Sequence, residues 1–219
     1  MITAQVICDS IAPGGSRLTT MELESPRSTL AEFNTHRVFS RNSASSRAIP
    51  VQKILERVRE DPFVPIRWEG NRPGMQAGEP LTERDVKACQ AVWANAVGYA
   101  AAFAEQLHGV GLHKQWANRL LEPFMWHQVV VTSSEWQNFF DQRVSPLAQP
   151  EMHELARAML TVYNESKPLE LLAPAANHLL SLDDGKKRFL DVMASVTKAY
   201  SLCGTLDEAA ELRTEIAFF

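Results

Sequence analysis

The chain has 219 residues, a formal charge of -4, 45% hydrophobic residues and 22% charged residues. That length suffices for one sizeable buried core without a disulfide scaffold, and the composition excludes collagen-like, disordered and coiled-coil chains. The negative balance argues against a broad electrostatic footprint for duplex nucleic acid.

In chain order, residues 3 to 8 and 17 to 23 are rich in β-formers and flank Pro13-Gly14-Gly15-Ser16, which predicts two paired strands closed by Pro26. A short helix is expected from Thr29. It leads into a dense polar run from Thr35 to Arg47. Pro50 suits the first turn of a helix to Glu60, with Val51, Ile54, Leu55 and Val58 as its apolar stripe. Prolines and glycines between 61 and 81 predict a long irregular connection. Thr82 and Asp85 form a capping box for a helix to His108, with an apolar row including Val86, Cys89, Val92, Trp93, Val97 and Phe103, stopped by Gly109 and Gly111.

A helix of roughly ten residues is expected from Lys114 to before Pro123, and Ser133 or Ser134 should cap another from Glu135 to Arg143. Pro150 opens a helix burying Met152, Leu155, Ala156, Met159, Leu160 and Val162. Two more helices are expected at 186–200 and 206–217, the second with a Thr205/Glu208 box. Helix dominates, and no internal repeat is present.

No run approaches the roughly eighteen apolar residues of a membrane span. Met1 to Pro13 carries Asp9 and no basic start, so the expected location is the cytoplasm. Cys8, Cys89 and Cys203 lie far apart without CxxC or Cys/His spacing, which predicts packed structural thiols and no metal site. His108 and His113 are five apart across a glycine-containing break with no carboxylate that completes a metal set, and His127, in an apolar stretch, reads as a satisfied core or interface histidine. Phe124, Trp126, Trp136, Phe139 and Phe140 read as core, although their flat faces suit a planar cofactor.

The run from Arg37 to Arg47 holds three arginines, four serines and one asparagine, and no acidic residue. Guanidinium forks and hydroxyls make it an oxyanion receptor by composition. As a helix it would place Ser40, Ser43 and Arg47 on one face and Arg37, Arg41 and Ala44 on another. As a solvated basic turn it would have no ligand. Dinucleotide, P-loop, nucleophile-elbow and HExxH motifs are lacking.

His36-Arg37, seven residues and Ser45, with Asn42 and Arg47, resemble the signature of flavin-dependent thymidylate synthases. A second block resembles that family too: Asn118-Arg119-Leu120-Leu121-Glu122-Pro123, Asn138-Phe139-Phe140, Gln142-Arg143 and Ala148-Gln149-Pro150-Glu151. The resemblance implies an α+β fold, mainly helical with a small antiparallel sheet, over residues 1–219 as a single domain. It also implies C5 methylation of dUMP, and of UMP as an alternative substrate. Methylenetetrahydrofolate and NADPH would be cosubstrates, FAD the cofactor, and a homotetramer with shared sites the assembly. Carried over residue by residue, Glu32, Thr35, Ser43, Ala44, Ser45, Ser46, Arg47 and Arg119 would contact the nucleotide, and Arg143 the pyrimidine as its catalytic residue. Thr35, His36, Arg37, Thr132, Ser134 and Asn138 would face FAD.

The chain departs from the family pattern at several of these positions. Thr35 stands for the first arginine of the signature, Ser43 for glutamate, Ala48 for tyrosine and Glu32 for glutamine. Thr132 and Ser134 replace asparagine and arginine. The usual FAD-contacting His-x-Ser/Thr-Pro-Phe-Glu-His segment is lacking, with Ser25-Pro26 as its only remnant. That implies either natural sequence beyond Phe219 or a flavin held differently. A competing class is a non-catalytic uridylate-binding homologue that has lost flavin.

Overall fold

Between Ile11 and Arg17 the chain reverses on two backbone bonds, Ala12 N–H to Ser16 O (2.9 Å) and Gly15 N–H to Ala12 O (2.8 Å). Gly15 takes φ +84°, a left-handed conformation that costs a residue without Cβ little. In the computed structural model, which describes residues 1–171, this turn closes the expected hairpin of β1 (Thr3–Ile11) and β2 (Arg17–Pro26). Three strands that the sequence reading did not anticipate extend it. β4 (Trp126–Ser133) pairs antiparallel with β2, and β3 (Ser40–Ser43) pairs antiparallel with β4. A two-residue β5 (Leu169–Glu170) runs parallel to β1, giving the order β3-β4-β2-β1-β5. The sheet is therefore mixed, not purely antiparallel, because the chain returns to the outer edge of β1 in the parallel sense.

The helices are α1 (Leu30–Phe33), α2 (Val51–Glu60), α3 (Glu83–Gly109), α4 (Lys114–Ala117), α5 (Gln137–Arg143) and α6 (Pro150–Glu165). The α+β, mainly helical architecture matches the sequence expectation. α2 buries Val51, Ile54, Leu55 and Val58 as its periodicity predicts. Thr82 Oγ accepts from Asp85 N–H (3.3 Å) and donates to the Asp85 carboxylate (2.7 Å), so the box closes side chain to side chain. Only Val97, Ala101 and Ala104 of α3 are buried, whereas Val92 and Phe103 of the expected row are exposed. The ten-residue helix expected from Lys114 stops at Ala117 and continues as 3₁₀ turns over Asn118–Leu120 and Glu122–Phe124, since Pro123 cannot extend an α-helical ladder. Ser133, not Ser134, organises the entry to α5, its Oγ accepting from Glu135 N–H at 3.0 Å, and the helix begins two residues later than expected. In α6, Met152, Leu155, Ala156 and Met159 are buried, while Leu160 and Val162 are half-buried.

One face of the sheet, through Met21, Leu23, Val129 and Val131, packs with Phe33, Phe39, Trp136 and Phe139 against Met152, Leu155 and Met159 of α6. A second core joins α2, α3 and the 3₁₀ turns through Leu55, Val58, Ala101, Leu121 and Phe124. The two cores meet along β4 and the segment before it, which brings residues near 45 and 120 together.

The irregular connection at 61–81 is held by a bridge between Glu69 and Pro80, and Gly78 N–H donates to Gly70 O at 2.8 Å. Cys8 and Cys89 are half-buried, so neither is the fully packed thiol expected. The helices expected at 186–200 and 206–217, and Cys203, lie outside the described residues.

Candidate functional site

The segment from Arg37 to Arg47 is not a helix. Ser40–Ser43 is a strand on β4, so Arg41 and Ser43 share one side and Ser40 and Asn42 the other, and the face shared by Ser40, Ser43 and Arg47 does not form. Arg41 is occupied structurally: it donates to Asn34 Oδ1 (2.7 Å), Asn34 O (3.0 Å), His36 O (2.9 Å) and Phe39 O (3.1 Å). Those bonds pin the loop 34–39 and leave Arg37, exposed and with no ion pair among the described residues, as the free cation of that loop.

That loop meets the end of α5. Arg143 Nε donates to His36 Nε2 at 2.9 Å, Arg143 pairs with Glu32, and its Nη2 reaches Thr35 Oγ1 at 3.5 Å. A guanidinium can only donate, so His36 Nε2 is an acceptor and the ring proton sits on Nδ1. His36 is 6% exposed, edge-on to Phe139 at 4.8 Å and stacked with Phe39 at 5.7 Å. Burial holds its pKa below the ordinary imidazole value, and the nearby Arg143 and Arg41 charges act in the same direction. Four expected site residues, Glu32, Thr35, His36 and Arg143, are thus brought into one half-buried cluster. It comprises a fixed guanidinium, a neutral imidazole and a carboxylate.

After β3, Ala44 N–H donates to Gln128 O (3.0 Å), and the chain turns through Ser45–Ile49, where Ala48 N–H returns to Ser45 O at 3.0 Å. Ser45 and Arg47 are exposed, and Ser46 is buried. The turn rests on the segment that carries Arg119. Asn118 Nδ2 donates to Ser46 O (2.6 Å) and Ile49 O (2.9 Å), Lys114 Nζ to Ala48 O (3.0 Å), and Ser46 Oγ donates to Glu122 Oε1 (2.7 Å). Arg119 itself is exposed, its guanidinium over the Trp116 ring at 5.5 Å. Arg47 and Arg119 are thereby offered to solvent on neighbouring segments, as an anion receptor requires.

The residues expected at FAD are less gathered. Thr132 lies across from Ser40, and its hydroxyl is bonded to that of Thr20 at 2.9 Å. Ser134 and Asn138 are exposed, with Asn138 Oδ1 accepting from Gln142. Ser25 and Pro26 are buried in the chain's own packing, with Ser25 Oγ against Thr29 Oγ1 at 3.1 Å. A cavity of about 200 Å³ lies between α2 and the sheet, lined by Glu24, Ala44, Arg57, Trp126 and Gln128 among others, and touches the expected site only at Ala44.

Asn118 and Glu122 have roles beyond their letters in the motif, and Lys114 has one that no sequence pattern singles out. Their spacing of four residues would mark one shared face only on a continuous α-helix, and the α-helix ends at Ala117. His127 is buried, as expected, but it is not the satisfied histidine the sequence predicts. Its Nδ1 accepts from Arg27 at 3.1 Å, while its Nε2–H has no partner among the described residues.

The family described as thymidylate synthase complementing protein matches residues 18–169, which include every expected site residue. A second description, Type I restriction enzyme HindI endonuclease subunit-like, C-terminal, matches residues 134–219, less than half of the chain. No curated protein matches the sequence. Among solved structures, the UMP/dUMP methylase PolB from Streptomyces cacaoi bound with 5-Br dUMP superposes with a TM-score of 0.60 at 16% identity, covering 78% of this chain and 91% of that one. The same methylase bound with 5-Br UMP gives 0.58 at 16% identity, over 78% and 90%. Flavin-dependent thymidylate synthase ThyX from Helicobacter pylori, complexed with FAD and dUMP, gives 0.47 at 19% identity over 67% of each chain. The first two likenesses establish a shared fold.

Proposed function

The chain belongs to the thymidylate synthase complementing protein family and is a methyl-transferring enzyme; we propose that its substrate is a uridine nucleotide, dUMP with UMP as a second substrate, methylated at C5. The observation that carries this reading is the joining of Arg143, from the second motif block, to His36 of the signature and to Glu32. Arg47 and Arg119 receive the phosphate, with Ser45 beside it, while the buried Ser46 has its hydroxyl held by Glu122 behind the turn. Ser43 and Ala44 flank the sugar, and Glu32 and Thr35 lie at the base. Arg143 stands at the pyrimidine edge, where a guanidinium fixed by two partners stabilises negative charge as N3 loses its proton. This route needs no enzyme nucleophile.

The donor set left open around the loop 34–39 fits an anionic dinucleotide such as FAD: the exposed Arg37 guanidinium, with the Ser134 hydroxyl and the Asn138 amide. Thr132 fits less well, because its hydroxyl is already bonded to Thr20. His36 would meet the flavin while holding Arg143. When bound, FAD supplies hydride, with NADPH as its reductant and methylenetetrahydrofolate as the one-carbon donor.

A homotetramer with shared sites completes the reading. Exposed Val92, Tyr99 and Phe103, the last two stacked at 6.3 Å, give α3 an apolar face that a second copy would cover. No helix among the described residues is long and apolar enough to cross a membrane; the cytoplasm is the location proposed.

Bound flavin and tritium release from C5-labelled dUMP and UMP test the proposal together. A yellow protein that releases tritium is expected. A protein that binds uridylate yet stays colourless in FAD and releases none would be a binding module instead.

A further inference from the structure

We propose that Lys114, Asn118 and Glu122 are positioning residues that hold the Ser45–Ile49 turn in its phosphate-receiving shape. This rests on the reading of that turn as the phosphate site.

The three residues are spaced four apart and all act on the same five-residue turn. Lys114 and Asn118 take three of its carbonyl oxygens, those of Ser46, Ala48 and Ile49, at 2.6 to 3.0 Å. A carbonyl oxygen turned toward a phosphate would repel it, so donors that draw these oxygens to the Lys114–Glu122 side make the opposite side fit for an anion. Glu122 fixes the Ser46 hydroxyl from the same side. Its carboxylate would itself oppose phosphate, but the Arg27 guanidinium lies 3.7 Å from the same oxygen and offsets the charge.

Asn118 shows that this is a directed arrangement. It is fully buried, spends both donors on the turn, and leaves its own Oδ1 without a partner among the described residues. An apolar residue would fill that place without the cost of a buried unpaired acceptor. What the amide supplies is the pair of donors. Meanwhile Arg47 N–H donates to Ser45 Oγ at 3.3 Å, and the Arg47 side chain stays exposed beside the clamped backbone. Holding Arg47 and Ser45 in place before the ligand arrives lowers the ordering cost of binding.

Calorimetry with dUMP and with deoxyuridine, which lacks the phosphate, separates positioning from general damage. Asn118→Ala and Glu122→Ala should each weaken dUMP binding by about tenfold or more and leave deoxyuridine within about twofold, the scale expected when a hydrogen-bonded polar pair is broken. Lys114→Met should show the same phosphate-selective loss at smaller size. Glu122→Gln, which keeps an acceptor for Ser46, should bind dUMP close to wild type. Should Asn118→Ala fail to fold, Lys114→Met and Glu122→Ala decide the matter. Equal losses for dUMP and deoxyuridine, or unchanged dUMP binding in these variants while Arg47→Ala loses it, would overturn the positioning role and leave the phosphate site standing. Unchanged dUMP binding in Arg47→Ala would instead overturn the phosphate reading, and the positioning role with it.

Discussion

Arg143 Nε donates to His36 Nε2 at 2.9 Å across 107 residues of sequence. The bond exists only while the imidazole is neutral, since a protonated His36 would set two cations face to face. The charged groups around His36 are Arg143 from α5, Arg41 from β3 and Glu32 from α1, with Arg143 and Arg41 both opposing protonation.

Turnover should therefore carry an acid limb below the ordinary imidazole range, where His36 takes up a proton and releases Arg143. Single-turnover rates against pH in wild type and His36→Gln check this. Glutamine offers an acceptor that does not titrate, so the limb should vanish while the plateau falls. An unchanged limb would place its origin elsewhere.

Arg143→Lys should damage turnover far more than affinity. An ammonium on a flexible stem cannot engage His36 and Glu32 in one plane. Loss of a preorganised donor typically costs a hundredfold to a thousandfold in rate, about 2.7 to 4 kcal/mol. The expected result with prereduced enzyme is a kcat loss of that size at nearly constant dUMP Kd. Equal losses in binding and rate would assign Arg143 to ground-state positioning.

On the proposed reading both dUMP and UMP should be methylated, because Ser43 would present neither the charge nor the bulk of a glutamate at the sugar. A pocket that merely tolerates an added hydroxyl discriminates weakly, so the kcat/KM ratio should stay well under about ten-thousandfold. Ser43→Glu should raise that ratio, chiefly by lowering activity on UMP. A wild-type preference above that bound would show that other contacts exclude the 2'-hydroxyl.

Stability should decline below neutrality through His127. Burial, with Arg27 nearby, lowers its pKa to about 4, against roughly 6.5 in the unfolded chain. The unfolded state then binds the proton first. The contribution is complete above about pH 6.5 and fades as pH falls toward the folded value, amounting to about 3 kcal/mol over the whole window. Urea unfolding at pH 7 and pH 4.5 should show a smaller pH effect in His127→Gln than in wild type. Equal pH effects would remove His127 from the account.

The sequence made some elements plain and hid others for identifiable reasons. α2 and α6 were legible because their apolar residues recur on one face and proline marks the start, and the hairpin because a turn cluster separates two β-rich runs. β4 was hidden because its buried side alternates His127, Val129, Val131 and Ser133, so polar residues blur the period of two. β3 is four polar residues, and backbone pairing alone makes it a strand. α3 read as more deeply packed than it is because its apolar residues exceed what this chain covers. The candidate site was visible through motif letters. The roles of Arg41, Lys114, Asn118 and Glu122 were not, since each depends on a backbone carbonyl or hydroxyl that only the folded loop presents.

The parallel pairing of β5 with β1 gives the chain a mechanical anchor. Asp9 accepts from Arg17, from Thr19 Oγ1 at 3.0 Å and from Ser166 Oγ at 2.6 Å. Arg17 also donates to Tyr163 O at 2.7 Å and lies over the Tyr163 ring at 3.8 Å. Burial alone would raise the Asp9 pKa, but these bonds outweigh it and hold the carboxyl below its usual range. A pull on Leu171 should therefore load β1, through bonds such as Leu171 N–H to Ile11 O at 2.9 Å, as well as α6. The first strand and the exit from the last described helix act as a single rivet, which a protease cut in either should loosen in both.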